Sequence, residues 1–355
     1  MKKKVYLEVI RIIAFICVLF NHTGQYGYEF FSVTESGLIR FISVLLSNLS
    51  KTGVPLFFMV SGALLIPKKE TFKDLFFKRV VKMFFVLILI SLFYYIRLYL
   101  KHPEYGFSIV YFLKMVYMQP IVTPLWFLYV YIAFLMMLPF LRKMTVNLDD
   151  KEKGYFAVLA VSFGFIMPFL TGFAGGITYF NIPLLSVGIL YPVMGYCIDT
   201  GFDKLNNDTG NKVPLFFRRG TFGVLLIIIN VFGCYILTYG EFVKKGQWSF
   251  SYIESMVFIP AFCIFYLIKN MCGDGIKSMM LTRLINYVGS GIFIIYLFEE
   301  VLREDVCINV YRIFNKGCPI PVFIPYLISV FLLGMIPVII IKFVKTNILF
   351  KSGKK

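Results

Sequence analysis

The sequence predicts an all-α, polytopic integral membrane protein with about ten transmembrane helices and both termini in the cytoplasm. The first observation is composition: 59% of the 355 residues are hydrophobic and 15% are charged, with a mean hydropathy of +0.80. Soluble domains are closer to half apolar and a quarter charged, so that class is excluded. The second observation is a series of apolar windows of membrane-spanning length, and the third is an uneven distribution of Lys and Arg between alternate loops.

The first predicted span follows three lysines at the N-terminus and contains the apolar run 12–20. Its basic start and apolar middle are shared with secretory signal peptides. However, no A-x-A-like cleavage site follows, and Glu8 and Arg11 interrupt the start of the apolar segment. We therefore expect a retained first span.

Nine further apolar windows follow the first span. The second span is interrupted by Lys51, Gly53 and Pro55, and it could begin as an outer interfacial helix that enters the membrane only near Thr52. Because the loops are short and no linker is visible, we expect one domain over residues 1–355. The windows lie near residues 42–66, 83–100, 124–141, 155–173, 180–198, 221–240, 249–268, 284–301 and 322–343.

The distribution of Lys and Arg between the predicted loops supports this topology. With the N-terminus inside, the inner segments hold 25 Lys and Arg, the outer segments hold 10, and Arg11 in the membrane completes the 36. Cytoplasmic loops carry an excess of Lys and Arg, which favours cytoplasmic termini. The net charge of +17 would suggest a nucleic-acid partner for a soluble protein, but topology explains it here and we expect no nucleic acid.

Three ionisable residues fall on one face of the first span. Eleven helical steps bring His22 to within roughly 20° of Arg11, about 16 Å further along, and Glu8 lies one turn before Arg11. Ionisable groups at membrane depth normally face a protein interior or a wet cavity and mark functional paths. The alternative is that Arg11 reaches back to the inner interface and that His22 belongs to an outer aromatic belt.

Three further sequence features could have a functional role, but each could also have a purely structural one. Ser61 and Gly62, in V-P-L-F-F-M-V-S-G at 54–62, could be a close helix contact, and P-L-W-F-L-Y at 124–129 could be an interfacial belt. Basic residues after the second span could set topology, contact anionic lipid or dock a phosphate-rich donor. They are Lys73, Lys78, Arg79 and Lys82.

Carboxylates gather near the outer ends of two late spans. Glu299 and Glu300 lie a turn beyond Tyr296 in the ninth span, and Glu254 is near the outer end of the eighth. Glu299 or Glu300 could orient the His22 imidazole or bind sugar hydroxyls. The alternative is that both glutamates face outer solvent.

Cysteine usage indicates no metal site. The seven cysteines are scattered and form no C-x-x-C motif. Cys307 and Cys318 share an outer loop where a disulfide could form, although two unpaired cysteines are the favoured alternative.

Three motifs together resemble the acyltransferase-3 family. They are Arg-x10-His formed by Arg11 and His22, the motif at 54–62 and the motif at 124–129. Within the family, the likeness is to O-acetyltransferases of surface polysaccharides such as the enterobacterial common antigen. The resemblance covers most of the chain. It implies transfer of an acyl group, usually acetyl from acetyl-CoA, onto a hydroxyl of an extracytoplasmic carbohydrate.

The resemblance also implies partners and location. Acyl-CoA is the co-substrate, no cofactor is permanently bound, and the remaining partners are a cell-surface carbohydrate acceptor and the lipid bilayer. The expected location is a bacterial plasma membrane. One departure is that 289–296 reads G-S-G-I-F-I-I-Y where the family has a motif resembling S-x-G-I-Y-L-I-H. Tyr296 thus occupies the usual histidine position, which leaves open a changed acceptor.

The resemblance also implies which residues form the site, by their positions in this sequence. Arg11 and His22 match the family's conserved pair, and Glu8 stands where Asp is frequent. We predict His22 as the general base, with a transient acyl-histidine as the alternative chemistry, and Glu8 as a second catalytic residue. The predicted contacts to CoA are Arg11, Lys78, Arg79 and Lys82. The predicted substrate contacts are Ser61, Trp126, Tyr129, Tyr296 and Glu299.

Two functions without acyl transfer compete with this one. A transporter or exporter of polysaccharide or lipid-linked sugars could line its path with the same polar face. A sensor or partner subunit would need no turnover. An enzyme requires phosphate-binding cations inside and one indispensable base, whereas a transporter could tolerate the loss of His22.

Overall fold

A computed structural model describes residues 4–174, 187–208, 220–273, 275–314 and 321–352, which form helices and contain no β-strand. Three turns, Phe76–Val81, Ser162–Ile166 and Arg303–Cys307, are π-helical. The helices are α1 (Val5–Asn21), α2 (Gly37–Ser50), α3 (Gly53–Leu65), α4 (Phe72–Leu75), α5 (Lys82–Lys101), α6 (Ile109–Met118), α7 (Trp126–Val146), α8 (Asp150–Val161), α9 (Met167–Ala174), α10 (Val187–Asp208), α11 (Thr221–Lys245), α12 (Ser251–Ser255), α13 (Phe258–Cys272), α14 (Met279–Leu302), α15 (Ile308–Phe314) and α16 (Phe323–Ser352).

Within the described residues, seven helical stretches are long and apolar enough to cross a membrane. Each coincides with one of the ten predicted windows, which confirms an all-α architecture with several membrane-spanning helices. The stretches are Gly37–Leu65, Phe72–Lys101, Thr123–Val146, Lys151–Phe173, Thr221–Lys245, Met279–Val310 and Phe323–Val344.

The three remaining windows differ from these seven. The first is α1, whose 17 residues are at the lower limit for a span. The window 180–198 lies partly outside the described residues. The window 249–268 is not one helix, because helical structure is interrupted between the end of α12 at Ser255 and the start of α13 at Phe258. Asn48 on α2 donates its side-chain amide to the carbonyls of Ile253 and Met256 at this break, at 3.3 and 3.2 Å, which satisfies backbone groups that a continuous helix would have paired.

The second window breaks where the sequence suggested. α2 ends at Ser50 and α3 begins at Gly53, and the Thr52 hydroxyl donates to the carbonyl of Leu49 at 2.6 Å. Helix α6 is not among the predicted spans, because its apolar stretch is short and contains Lys114. The structure shows a helix capped by Ser108 that buries Phe112 and Val116. Cys318, and with it a disulfide to Cys307, lies outside the described residues.

The helices form two compact units within the predicted single domain. One unit comprises Met1–Ala63 with Asp149–Lys355, and the other comprises Leu64–Leu148. The first unit is built around α1, which packs against α2, α13, α14 and α16. Leu7, Ile10, Ala14, Phe15 and Leu19 of α1 are completely buried, as expected for a central helix that is apolar on most of its circumference.

Small residues set the closest helix contacts of this unit. A Cβ added at Gly62 on α3 would overlap the backbone of Pro192 on α10, and one added at Gly195 would overlap the backbone of Met59. Small residues allow helix backbones to approach this closely in membrane proteins. Gly62 of the motif at 54–62 is therefore part of a close helix contact, which is the structural alternative considered for this motif in the sequence analysis.

Charged residues anchor the N-terminal end of α1. Asp199 on α10 is buried and accepts hydrogen bonds from the Lys4 ammonium, at 2.7 and 2.8 Å, and from the Tyr6 hydroxyl. Lys269 near the end of α13 donates to the carbonyls of Ile198 and Asp199 at 2.8 and 3.1 Å. These bonds tie the start of α1 to α10 and α13.

Candidate active site

His22 directly follows α1, and its backbone N–H still donates to the carbonyl of Val18 at 3.0 Å. The next residue closes the turn. The Thr23 hydroxyl donates to the carbonyl of Phe20 at 2.6 Å and accepts the N–H of Tyr28 at 3.3 Å. The backbone of His22 is therefore held at the helix end by bonds on both sides.

The His22 imidazole contacts a buried carboxylate. Its Nδ1 lies 3.0 Å from Oε2 of Glu299 on α14, and the exposed fractions of the two side chains are 21% and 0%. Because an ionised carboxylate only accepts hydrogen bonds, this contact assigns a proton to Nδ1, and in the neutral imidazole the lone pair is then on Nε2. The expected proximity of Glu299 to His22 is found. The alternative of solvent-facing glutamates is wrong, since Glu300 is also buried.

The second oxygen of the same carboxylate has a different environment. Oε1 of Glu299 is buried and accepts no hydrogen bond from the described residues. Glu300, the next residue, instead accepts both Nε (3.1 Å) and Nη2 of Arg303. Two adjacent buried carboxylates thus have separate partners, an imidazole for one and a guanidinium for the other.

The other polar pair of α1 lies near its N-terminal end. Nη1 of Arg11 donates to Oε2 of Glu8 at 2.6 Å, within one helical turn, and Glu8 is buried. Gly289 on α14 packs directly against Glu8, where a Cβ would overlap Oε2 and lie 2.9 Å from the Glu8 Cβ. The arginine of Arg-x10-His is therefore held by the acidic residue predicted beside it.

Helices α1 and α14 run parallel, because Glu8 meets Gly289 while His22 meets Glu299. Gly289, Ile292, Tyr296 and Glu299 recur every three or four residues, so they share one face of α14. This packing brings the late G-S-G-I-F-I-I-Y motif and the first span together. Tyr296 is buried on this face, one turn before Glu299.

Glu254 belongs to a separate contact. It pairs with Lys51 at 3.0 Å, and the Lys51 ammonium lies 4.5 Å above the Tyr28 ring. Ser47 on α2 donates to the Tyr28 carbonyl at 2.5 Å. These contacts fasten the segment that follows His22 to α2 and α12.

The predicted CoA-binding residues of the second unit have internal partners or are exposed. Lys78 is 75% exposed and pairs with Asp74 at 2.8 Å, and Lys82 is exposed. Arg79 donates Nε (2.9 Å) and Nη2 to Glu70. The guanidinium fork of Arg79 is therefore already engaged by a carboxylate.

Arg142, which the sequence suggested only as a topology charge, completes this cluster. It donates to Glu70 at 3.0 Å and to the carbonyl of Leu65 at 3.1 and 2.8 Å. The hydrogen bond from Arg79, with that from Arg142, lowers the pKa of Glu70 to about 2. Glu70 thus joins two arginines that lie far apart in the sequence.

Three further predicted substrate contacts have structural partners or lie at the surface. The Ser61 hydroxyl donates to the Phe57 carbonyl of its own helix at 2.8 Å. The Tyr129 hydroxyl donates to the Val116 carbonyl at 2.7 Å, which fastens α7 to α6. Trp126 begins α7 and is 39% exposed.

Arg303 and Asp199 were missed by sequence reasoning. The signal for Arg303 was available, because its spacing of three and four residues from Glu300 and Glu299 places all three on neighbouring positions of one helix. Asp199 gave no comparable signal, since its partner Lys4 is distant in the sequence. Among the described residues, no group of His, Cys, Asp and Glu could hold a metal ion.

A family model for an acyltransferase domain matches residues 4–343, nearly the whole chain. The chain belongs to the acyltransferase-3 family. Searches of curated proteins and of solved structures gave no significant match. With its apolar helices, this acyltransferase-3 protein is a multi-pass membrane protein, and its family identifies acyl transfer as its general activity.

Proposed function

We propose that this acyltransferase-3 protein moves an acyl group, acetyl by preference, from cytosolic acyl-CoA to a hydroxyl of a cell-surface glycan. The observation that carries the proposal is the contact between His22 and the buried Glu299. A histidine oriented by a carboxylate is an arrangement suited to general-base catalysis of acyl transfer. The proposed setting is a bacterial plasma membrane with both termini in the cytoplasm.

The acceptor half of the reaction uses the imidazole. Nε2 of His22 takes the proton of the acceptor hydroxyl as its oxygen attacks the thioester carbonyl carbon. The C–S bond then breaks, and the CoA thiolate takes the proton from the imidazolium. Glu299 accepts the Nδ1 hydrogen bond throughout, which orients the ring and stabilises its protonated form.

The donor half uses the opposite end of α1. Arg11 would bind CoA phosphate, because guanidinium donors match phosphate oxygens and Glu8 already fixes one of its nitrogens. The rise of an α-helix separates Arg11 and His22 by about 16 Å, a distance that an extended pantetheine arm could cover. Lys78 and Lys82 are proposed as additional phosphate contacts, and Arg79 could contribute only by exchanging Glu70 for phosphate.

The acceptor would bind near the unengaged carboxylate oxygen. Oε1 of Glu299 is buried without a hydrogen bond from the described residues, and such an acceptor is costly unless a hydroxyl or water satisfies it. A sugar hydroxyl supplies that donor. Tyr296, one turn earlier on the same face, is the proposed neighbour of the sugar, with Ser61, Trp126 and Tyr129 as further substrate contacts.

The experiment that tests this function compares surface glycans of matched strains with and without the gene. Mass analysis should show an acetyl mass on the glycan only in the strain that makes the protein. An unchanged acylation pattern, with transport of unmodified polysaccharide lost instead, would favour a transporter over an enzyme.

A further inference from the structure

Two arginines of the second unit converge on one carboxylate. Arg79 donates to both oxygens of Glu70, with Nε 2.9 Å from Oε2, and Arg142 donates to the same Oε2 at 3.0 Å. The exposed fractions of the three side chains are 24% for Arg79, 23% for Glu70 and 13% for Arg142, so an ion from the aqueous phase can reach them. Guanidinium groups that hold a carboxylate in this way have the geometry that also binds a phosphate group.

The two arginines are positioned by contacts that do not involve the carboxylate. Arg142 on α7 also donates to the carbonyl of Leu65, the last residue of α3, at 3.1 and 2.8 Å. The last carbonyls of a helix lack partners within it and carry partial negative charge, so they hold a cation in place. Arg79 lies in the π-helical turn Phe76–Val81, which packs against α7. Arg142 therefore stays in position if the carboxylate leaves, and the backbone of Arg79 stays packed against α7.

Glu70 is attached to the chain in a different way. It lies in the segment 68–71, which has no regular secondary structure and leads into α4. Connecting segments of this kind move more readily than the helices they join, because fewer backbone hydrogen bonds hold them. The carboxylate is thus the member of the cluster that can leave with the least rearrangement.

The charges of the cluster favour a phosphate monoester as the replacement for Glu70. The two arginines supply two positive charges and the carboxylate only one negative charge. Of the other charged residues in the 67–82 segment, Asp74 and Lys78 pair with each other at 2.8 Å and the rest are lysines, and Lys143 on α7 is a further cation. A phosphate monoester carries about −1.5 to −2 at pH 7 and offers three strong acceptor oxygens, so it matches both guanidinium groups. A phosphodiester, as in most phospholipid headgroups, carries no more charge than the carboxylate.

We propose that Arg79 and Arg142 form the site for the 3′-phosphate of acyl-CoA, and that Glu70 occupies this site until the donor binds. Glu70 is then an internal competitor, because each donor molecule has to displace it from both arginines. Such competition lowers the apparent affinity by the fraction of the protein in which the site is open. The assignment to acyl-CoA rests on the proposed function, whereas the competition between Glu70 and a phosphate monoester does not.

The test measures binding of adenosine 3′,5′-bisphosphate to purified protein in phosphatidylcholine nanodiscs. E70Q should raise the affinity about tenfold, because an uncharged amide competes poorly with phosphate for the arginines. R79Q and R142Q should each lower it. D74N is the matched control, since it removes the same charge from the same segment, but from a carboxylate that pairs with Lys78. Equal affinities in E70Q and D74N, a loss of affinity in E70Q, or no effect of R142Q would overturn the proposal.

Two comparisons identify the ligand. Dephospho-CoA lacks the 3′-phosphate, so E70Q should raise the affinity for CoA and leave that for dephospho-CoA unchanged. Equal gains for both would contradict the assignment to the 3′-phosphate. Replacing part of the phosphatidylcholine by phosphatidylglycerol should not change the ratio of the E70Q affinity to the wild-type affinity. A ratio that falls to one would assign the arginines to a lipid headgroup instead.

A stability measurement keeps the test valid if E70Q is destabilised. Because the bound anion replaces the missing carboxylate, saturating adenosine 3′,5′-bisphosphate should raise the Tm of E70Q more than that of wild-type protein. A smaller rise would contradict the proposal. None of these measurements needs an acceptor or acyl transfer. The predicted gain in a protein that acylates no glycan would support the phosphate site and refute only the enzyme function, whereas acyl transfer without that gain would overturn the site alone.

Discussion

Gly289 on α14 leaves room for the carboxylate of Glu8 on α1. A Cβ at Gly289 would overlap Oε2 of Glu8, the oxygen that accepts a hydrogen bond from Arg11 at 2.6 Å. The glycine of the late motif thus supports the arginine of the first span. The proposed donor site depends on a helix contact as well as on its charged groups.

G289A should therefore weaken acyl-CoA binding. The added methyl group displaces Glu8, so Arg11 loses the partner that fixes its orientation. G240A is the matched control, because a Cβ at Gly240 on α11 would have no atom within 4 Å. Binding of labelled acetyl-CoA to purified protein measures the effect, and equal affinity in the two variants would rule out this role for Gly289.

Arg11 itself should determine donor affinity. R11K keeps the charge but loses the planar fork, so the Kd for acetyl-CoA should rise about tenfold, and R11A should raise it further. R283A removes a similar charge from an exposed position on α14 and should leave binding unchanged. Wild-type affinity in R11A protein would refute the assignment of Arg11 to the donor.

The distribution of Lys and Arg predicts which loops face the cytoplasm. In a background without native cysteines, K73C in the 67–82 segment should be labelled only after cells are permeabilised. H102C, in the loop after α5, should be labelled in intact cells by the same membrane-impermeant reagent. Labelling of K73C from outside intact cells would contradict the predicted orientation.

The Glu70 cluster should make the second unit sensitive to acid. Because the pKa of Glu70 is lowered from 4.5 to about 2, its stabilising contribution is complete above pH 4.5 and disappears as the pH falls toward 2. E70Q should lower the Tm at neutral pH and reduce the loss of stability between pH 5 and pH 3. The control E35Q alters an exposed carboxylate outside this cluster. Identical acid sensitivity in E70Q and wild-type protein would contradict this account.

Local patterns predicted much of the architecture, because membrane helices require long apolar runs that can be recognised without tertiary information. The break between α2 and α3 was also visible, from Lys51, Gly53 and Pro55. The break between α12 and α13 was not, because it depends on Asn48, which is about 200 residues away in the sequence.

The candidate site was also predictable only where the signal is local in the sequence, and not where it depends on contacts between distant segments. The Arg11–His22 spacing and the acidic outer end of the ninth span suggested the polar groups and their neighbours. The engagement of Arg79 by Glu70 was not foreseen, since the two residues are nine positions apart and Arg142 from α7 joins the same carboxylate. Basic residues in the sequence therefore do not by themselves identify a free phosphate site.

The central claim is that His22 is the base for acyl transfer. Its most direct test is mass analysis of acylated surface glycan from cells that produce H22A or H102A protein at equal levels. A general base contributes about 10²–10⁴-fold, so H22A should lose acylation by that factor while acetyl-CoA binding is kept. H102A should retain wild-type acylation. Near wild-type acylation by H22A protein would contradict the mechanism.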